Sequence, residues 1–303
     1  MTDFDTIRSK KQFEFVLSLK HMTQLLFSTI LSLSALTSII ADTKNLDAEL
    51  KSDGPDQGLT AYELIRNFAG PRPIESPDLY PQNHPDVRHI IERTDEVVGH
   101  HFVFKIHRDL DKDRDKYIKF GDRQRNEIKA YASSRNELKG FEGETLSYEW
   151  KFKVGEGMSV SKNFTHLFQL KSVDDGIGTP ILTISAAHRG GGENMFLAHS
   201  AVKKAQYLRV VPWRKTHNKW LKVKCTVTYA NEGKLSIEVV ELVSGKEVFN
   251  FEADNIDMWR GTKDSHFVRP KWGIYRSLKS KHMLREEEEE VSFADFKVTK
   301  HIN

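Results

Sequence analysis

From about residue 100 onward the chain repeats one pattern, an apolar side chain at every second position. The clearest run is Leu221, Val223, Cys225, Val227 and Tyr229, interleaved with Trp220, Lys222, Lys224, Thr226 and Thr228. An extended backbone sends successive side chains to opposite faces, so a period of two buries one face and wets the other. The same alternation recurs over residues 102–107, 146–152, 164–171, 181–187, 207–211, 235–242, 247–251, 271–276 and 291–298. Some ten short strands with turn residues between them, and no long helical run, predict an all-β fold, a two-sheet sandwich or jelly roll.

The first hundred residues read differently. Residues 25–41 are apolar with scattered Ser and Thr, and follow Arg8, Lys10, Lys11 and Lys20. That is the layout of a secretory signal peptide with Ala41 at the cleavage point. An uncleaved membrane anchor is the competing reading, but the run is slightly short and hydroxyl-rich for a span. Residues 42–58 are polar and rich in Gly and Asp, as in a linker. Leu59, Tyr62 and Ile65 have helical spacing, and Gly70-Pro71-Arg72-Pro73 stops that helix. A second short helix is expected over residues 85–93, with Val87, Ile90 and Ile91 inward. The expected organisation is therefore a signal peptide or anchor (1–41), a linker with short N-terminal helices (42–98) and a β domain (99–303), secreted from the cell. Cys225 is the single cysteine, so no intrachain disulfide can form. Its place in an alternating run marks it as a buried thiol. The 18 Phe and 5 Trp must then supply the core.

Net charge is only +3, too weak to point to nucleic acid. Its distribution says more. Residues 203–224 hold Lys203, Lys204, Arg209, Arg214, Lys215, Lys219, Lys222 and Lys224 with no acidic residue. Such a stretch is either a basic face for an anionic ligand or a solvated strand face. Asp109, Asp111, Asp113 and Asp115 alternate with other residues, a spacing that can ligate calcium through oxygen. Arg114 stands where an EF-hand loop needs glycine, so a solvated turn is favoured. No cofactor is required, and calcium remains only a structural option. Glu286 to Glu290 reads as an exposed acidic loop.

Three segments carry chemistry: Arg123-Gln124-Arg125-Asn126-Glu127-Ile128-Lys129, His166-Leu167-Phe168-Gln169-Leu170-Lys171 and Lys271-Trp272-Gly273-Ile274-Tyr275-Arg276. Alternation places Arg125, Glu127 and Lys129 on one face of the first, with Arg123 at its start. It places Gln169 and Lys171 on one face of the second, and Lys271 and Tyr275 on one face of the third. By the same parity His166 falls on the face opposite Gln169. Cations, an amide and a phenol on one sheet suit an acidic sugar chain.

In this order, the segments resemble jelly-roll polysaccharide lyases. Arg125-Asn126-Glu127-Ile128-Lys129 resembles the Arg-x-Glu strand of that group, alginate lyases included. Residues 123–131, with Leu138-Lys139-Gly140 and Tyr148-Glu149-Trp150-Lys151-Phe152-Lys153, are most similar to glucuronan lyases, and residues 164–171 fit the same group. Lys271-Trp272-Gly273-Ile274-Tyr275 is similar to the Lys-x-x-x-Tyr strand of alginate lyases and of heparin lyase I. The resemblance covers about residues 100–303. It implies a concanavalin-like β-jelly roll that cleaves a uronate polymer by β-elimination, glucuronan first, with alginate and glycosaminoglycans behind. It implies a catalytic Arg125, Gln169 and Tyr275, and a substrate-binding Arg123, Glu127, Lys129, Lys171 and Lys271. The partner is an acidic polysaccharide, and neither a protein partner nor an oligomer is implied.

In such chemistry the proton at C5 leaves and O4 is expelled. Donors that neutralise the neighbouring carboxylate act where charge develops. Arg125 is expected to offer its planar fork to that carboxylate. The lysines are expected to bind flanking carboxylates or to lower the pKa of Tyr275, whose free phenol titrates near 10. One departure concerns the base. Alginate lyases of this group carry Gln-x-His on the second strand, where this chain has Gln169-x-Lys171. Either Tyr275 serves as base and acid, or another histidine enters the site. His188, just before Gly190-Gly191-Gly192, is the candidate. Two rivals stand beside the lyase. A glycoside hydrolase needs paired carboxylates, and its nearest match is Glu252-Ala253-Asp254-Asn255-Ile256-Asp257, whose last residue is wrong. A carbohydrate-binding protein would keep the basic groove but have no need of Tyr275.

Overall fold

A computed structural model describes residues 45–302 apart from 117–120, 177 and 201–203. The expected signal peptide lies outside the described residues. Residues 45–302 form one unit built on two antiparallel sheets.

The alternating runs become strands. One sheet contains β1 (Leu46–Leu50), β3 (Ile90–Asp95), β4 (Gly99–Ile106), β6 (Thr145–Val154), β11 (Trp220–Thr228), β12 (Gly233–Glu241), β13 (Glu247–Ile256) and β15 (Glu289–His301). Its order is β13-β12-β11-β6-β15-β4-β3, with β1 beside the second half of β15. The other contains β2 (Ile74–Glu75), β5 (Arg123–Lys129), β7 (Thr165–Val173), β8 (Leu182–His188), β9 (Glu193–His199), β10 (Gln206–Pro212) and β14 (Phe267–Ser277), in the order β10-β9-β8-β7-β14-β5-β2. This is the jelly-roll sandwich anticipated from the alternation.

The apolar faces meet in an aromatic core. Trp150 of β6 packs on Phe168 of β7 with ring centroids 4.3 Å apart, and Trp272 of β14 meets Phe296 of β15 at 5.3 Å. Each such ring removed from water contributes about 1.5–3 kcal/mol. Cys225 is buried here, and burial pushes its thiol pKa up. A buried ion pair also joins the sheets, from Arg276 of β14 to Glu289 of β15. Glu289 is therefore not part of an exposed loop. Its carboxylate also accepts from the Ser159 backbone N–H at 2.6 Å.

The N-terminal expectations need correction. The helix is present as α1 (Ala61–Ala69), where the Glu63 carboxylate accepts from the Thr60 N–H (2.9 Å) and hydroxyl (2.6 Å), fixing its start. The supposed linker contains β1, paired to β15. The second helix expected over 85–93 is instead a loop leading into β3. Two adjacent β-branched residues, Ile90 and Ile91, pair with Phe104 and Val103 of β4, and a short apolar run does not distinguish helix from strand. Residues 45–98 thus belong to the sandwich, and Ile65, Phe68 and Ile74 lie in its core.

The described part of the basic stretch, residues 204–224, does not form one face. It runs from β10 in one sheet to β11 in the other. Lys224 sits between Glu149 and Glu238 on neighbouring strands, as a solvated strand face would. The hydrolase-like run lies on β13, the edge strand of the other sheet, and is largely exposed.

Candidate active site

The three chemistry-bearing segments are adjacent strands, in the order β7-β14-β5, with β2 beyond them. Registers bring Tyr275 opposite Arg125 on one side and His166 on the other. Lys271 lies opposite Lys129 and Gln169. Glu75 of β2 pairs with Glu127, so its side chain joins the same face. β14 comes so close to β5 at Gly273 that a Cβ there would lie 2.2 Å from the Asn126 carbonyl oxygen, and φ is +134°. Only glycine fits that position.

Beneath this face lies a buried ion network. Glu127 accepts from Arg125 Nη1 (2.8 Å), from Lys271 Nζ (2.6 Å) and from the Gln169 amide. Glu75 accepts from Arg125 (3.0 Å), Lys271 (2.8 Å), Lys129 (2.6 Å) and Arg114 (2.7 Å). Asp113 accepts from Arg125 Nε at 2.8 Å. Burial pushes the Glu75 carboxyl pKa up, yet Lys271, Arg125, Lys129 and Arg114 outweigh it and hold it well below the usual range. Four cations face three carboxylates, which leaves the floor net positive. Asp113 and Asp111 are buried, so the aspartate run is no solvated turn.

This network changes the roles foreseen for Arg125 and Gln169. The Arg125 fork is engaged by Asp113, Glu75 and Glu127, so it does not offer a bidentate grip to a sugar carboxylate. Its guanidinium carbon instead lies 3.7 Å from the centroid of the Tyr275 ring. Gln169 is buried and donates to Glu127. Arg125 thus supports Tyr275 from below, and Gln169 helps to hold Glu127, which in turn binds Arg125.

Tyr275 opens onto a cavity of 480 Å³ that also involves Arg123, His166, Ser185, Arg189 and Tyr207. Arg123 Nη1 donates to the Tyr275 hydroxyl at 3.1 Å. Burial raises the pKa of this phenol, and the lowering by Arg125 and Arg123 does not overcome it. The expected depression by lysines is therefore not found, and the Tyr275 phenol stays protonated near neutral pH. A second cavity of 460 Å³ lies across the network, over β2 and β5, where Arg66, Arg114, Lys129 and Tyr131 line it. The two cavities share one face of the sheet.

The histidine in the site is His166. A register shift between His166 and Phe168 inserts one residue into β7, and a matching shift lies between Trp272 and Tyr275 of β14. Leu167 and Phe168 both turn to the core, and His166 crosses to the face of Gln169, against simple parity. Its ring stacks on Phe164 with centroids 4.5 Å apart and lies 5.9 Å from that of Tyr275. Nδ1 meets Ser185 Oγ at 2.5 Å. Burial, then the positive charges of Arg125 and Lys271, push its pKa down to about 3, so the ring is neutral. His188 is not brought to this cavity. Thr183, Ser185 and Ala187 of β8 line it, while His188 sits exposed at the strand end. Lys171 is directed to the carbonyl of Gly178, with its pKa pushed down to about 8 by burial and by Lys271 and Arg269.

No family model and no curated protein matches the sequence. Solved structures do. Alginate lyase Aly36B in complex with an alginate trisaccharide is 8% identical, with a TM-score of 0.55 over 85% of this chain and 98% of that one. The marine PL-14 alginate lyase from Aplysia kurodai is 14% identical, with a TM-score of 0.50 over 82% of this chain and 97% of that one. An endo-β-1,4-glucuronan lyase from the fungus Trichoderma reesei, 13% identical, covers 74% of this chain and 93% of that one, but its TM-score of 0.47 carries no argument about substrate. At such identities the likeness establishes the jelly-roll fold seen in polysaccharide lyases.

Proposed function

We propose that this protein is a secreted polysaccharide lyase that cleaves a uronate polymer by β-elimination, with glucuronan the first substrate and alginate the second. The observation that carries the reading is a neutral imidazole and a protonated phenol, His166 and Tyr275, lining one cavity above a net positive floor. Secretion rests on the apolar segment 25–41 with its basic prelude.

The two groups divide the work. His166 takes the C5 proton on Nε2. The C–H electron pair becomes the C4=C5 double bond, and the C4–O4 bond breaks. Tyr275 delivers its proton to O4, and the imidazolium and phenolate then return to their resting states through solvent. Charge develops on the sugar carboxylate as C5 loses its proton. Arg123 and Arg189, with the cationic floor, lower the energy of that charge. A bound carboxylate also raises the basicity of His166 by offsetting the nearby cations.

Ultraviolet absorbance of unsaturated products tests the activity directly, with glucuronan, alginate, pectate and heparin supplied in turn. Product on glucuronan or alginate is expected. Tyr275→Phe should lower turnover by about 10²–10⁴-fold while leaving substrate binding largely intact. Full activity in that variant would sink the assignment of Tyr275. Binding without product from the native protein would make this a carbohydrate-binding protein instead.

A further inference from the structure

Away from the proposed cleavage site, four side chains converge: His84, in the loop before β3; His89, just ahead of β3; His107, just after β4; and Asp111, four residues beyond. One candidate ligand atom from each lies within 4.8 Å of all the others. The three rings meet edge to face, with centroids 5.0, 4.9 and 5.3 Å apart and planes 79–82° from one another. His89 and Asp111 are fully buried, and His84 and His107 are partly buried, with 12% and 17% of their side chains exposed.

Proton accounting makes the cluster informative. His89 Nδ1 lies 2.7 Å from the Val87 carbonyl oxygen, which can only accept, so that nitrogen carries the hydrogen. In the neutral ring, Nε2 is then a lone pair. It points at Asp111 Oδ1 from 2.9 Å, and His84 Nδ1 lies 2.7 Å from the same oxygen. His107 Nδ1 is 3.4 Å from Asp111 Oδ2, which already accepts the His107 backbone N–H at 2.6 Å. His84 can donate from Nδ1, but at His89 Nε2 an acceptor faces an acceptor, and both nitrogens of His107 face carboxylates although a neutral ring has one hydrogen to give. Extra protons would resolve this by making imidazolium ions of both His89 and His107 beside buried Asp111, with Asp78 3.6 Å from His89 and Glu288 3.0 Å from His107 as further counter-charges, at a desolvation cost. A single cation at the centre resolves it with neutral rings.

We propose that His84, His89, His107 and Asp111 bind one divalent transition-metal ion, zinc by preference. Three imidazole nitrogens and one carboxylate oxygen are a four-ligand set suited to zinc, whereas calcium takes oxygen donors. The outer partners fit as well. A metal-bound histidine usually gives its other N–H to a carbonyl or carboxylate. His89 has the Val87 carbonyl for this, and His107 has Glu288 Oε2 at 3.0 Å. Four protein ligands fill a tetrahedral shell, which makes the site structural. Its load is the loop from His107 to Asp113, which Gln124 also grips through the carbonyls of His107 (3.0 Å) and Asp111 (3.2 Å). Two residues beyond Asp111, Asp113 holds Arg125 beneath Tyr275. The aspartate run would therefore contribute one zinc ligand and one arginine clamp, and no calcium loop.

The test uses the untagged full chain purified without chelator. Elemental analysis should find stoichiometric zinc. Stripping the ion with dipicolinate should lower the melting temperature by roughly 10 °C, and zinc, but not calcium, should restore it. Cobalt exchanged into the stripped protein should show the visible bands of a tetrahedral site. His84→Ala, at the edge of the cluster, should fold but lose those bands and most of the zinc. A native chain without bound transition metal, whose stripped form is unmoved by zinc, would overturn the proposal. So would a His84→Ala variant that keeps metal and bands unchanged. These readouts are metal content, spectrum and stability, so their failure would leave the lyase reading where it stands.

Discussion

His166 is held neutral down to about 3 because its ring is buried among cations, Arg125 and Lys271 foremost. The unfolded ring titrates near 6.5, so between about 3 and 6.5 the unfolded chain binds the extra proton. Stability contributed by the neutral ring is therefore present above 6.5 and is lost as pH falls. His166→Gln should flatten the acid limb of stability across that window, where one proton can contribute a slope of at most about 1.4 kcal/mol per pH unit. Urea midpoints of the two proteins, measured from pH 4 to 7, check this. Parallel limbs would mean that His166 is solvated. The residue was named within its segment by sequence but assigned to the wrong face. Parity fails at a bulge, and nothing in His166-Leu167-Phe168 announces one, since Leu and Phe suit either face.

At the scale of elements, the shortest strand carries much of the site. β2 is two residues long, yet it places Glu75 against Arg125, Lys271, Lys129 and Arg114. No periodicity could have flagged Glu75, because a two-residue strand has none and its partner β5 begins some fifty residues later. Removing one member of a buried ion network costs more than the pairings suggest, since the remaining charges stay buried and uncompensated. Glu75→Ala should destabilise the protein by about 3–5 kcal/mol, read from chemical unfolding. A loss below about 1 kcal/mol would mean that water relaxes around the four cations. The strands themselves were legible, because alternation over seven or more residues leaves one exposed and one buried face. Of the carboxylates that engage the Arg125 fork, Glu127 was legible two residues along the same strand, but the other two were not. Asp113 and Glu75 lie 12 and 50 residues away, and only strand pairing and loop packing bring them together.

At the scale of the whole molecule, the sandwich closes only with its N-terminal segment. β1 pairs with β15, β3 with β4 and β2 with β5, and Phe68 of α1 reaches Trp272 with ring centroids 6.5 Å apart. A chain starting at residue 99 would leave the edges of β5 and part of β15 unpaired and would expose core aromatics. It should show no cooperative thermal transition, while a chain starting at residue 45 should show one. A sharp transition in the shorter chain would return residues 45–98 to the status of an appendage.

What the sequence by itself determined is the period of two, and with it the two-sheet fold, the faces of β5 and β14, and the presence of a cationic site holding Tyr275. These depend on neighbours one and two residues apart, which the chain states directly. Tertiary structure decided the rest: which histidine meets Tyr275, the engagement of Arg125 by Asp113 and Glu75, the raised pKa of the phenol, and the gathering of His84, His89, His107 and Asp111. Each of these depends on burial and on partners that strand register and loop packing bring together from distant parts of the chain.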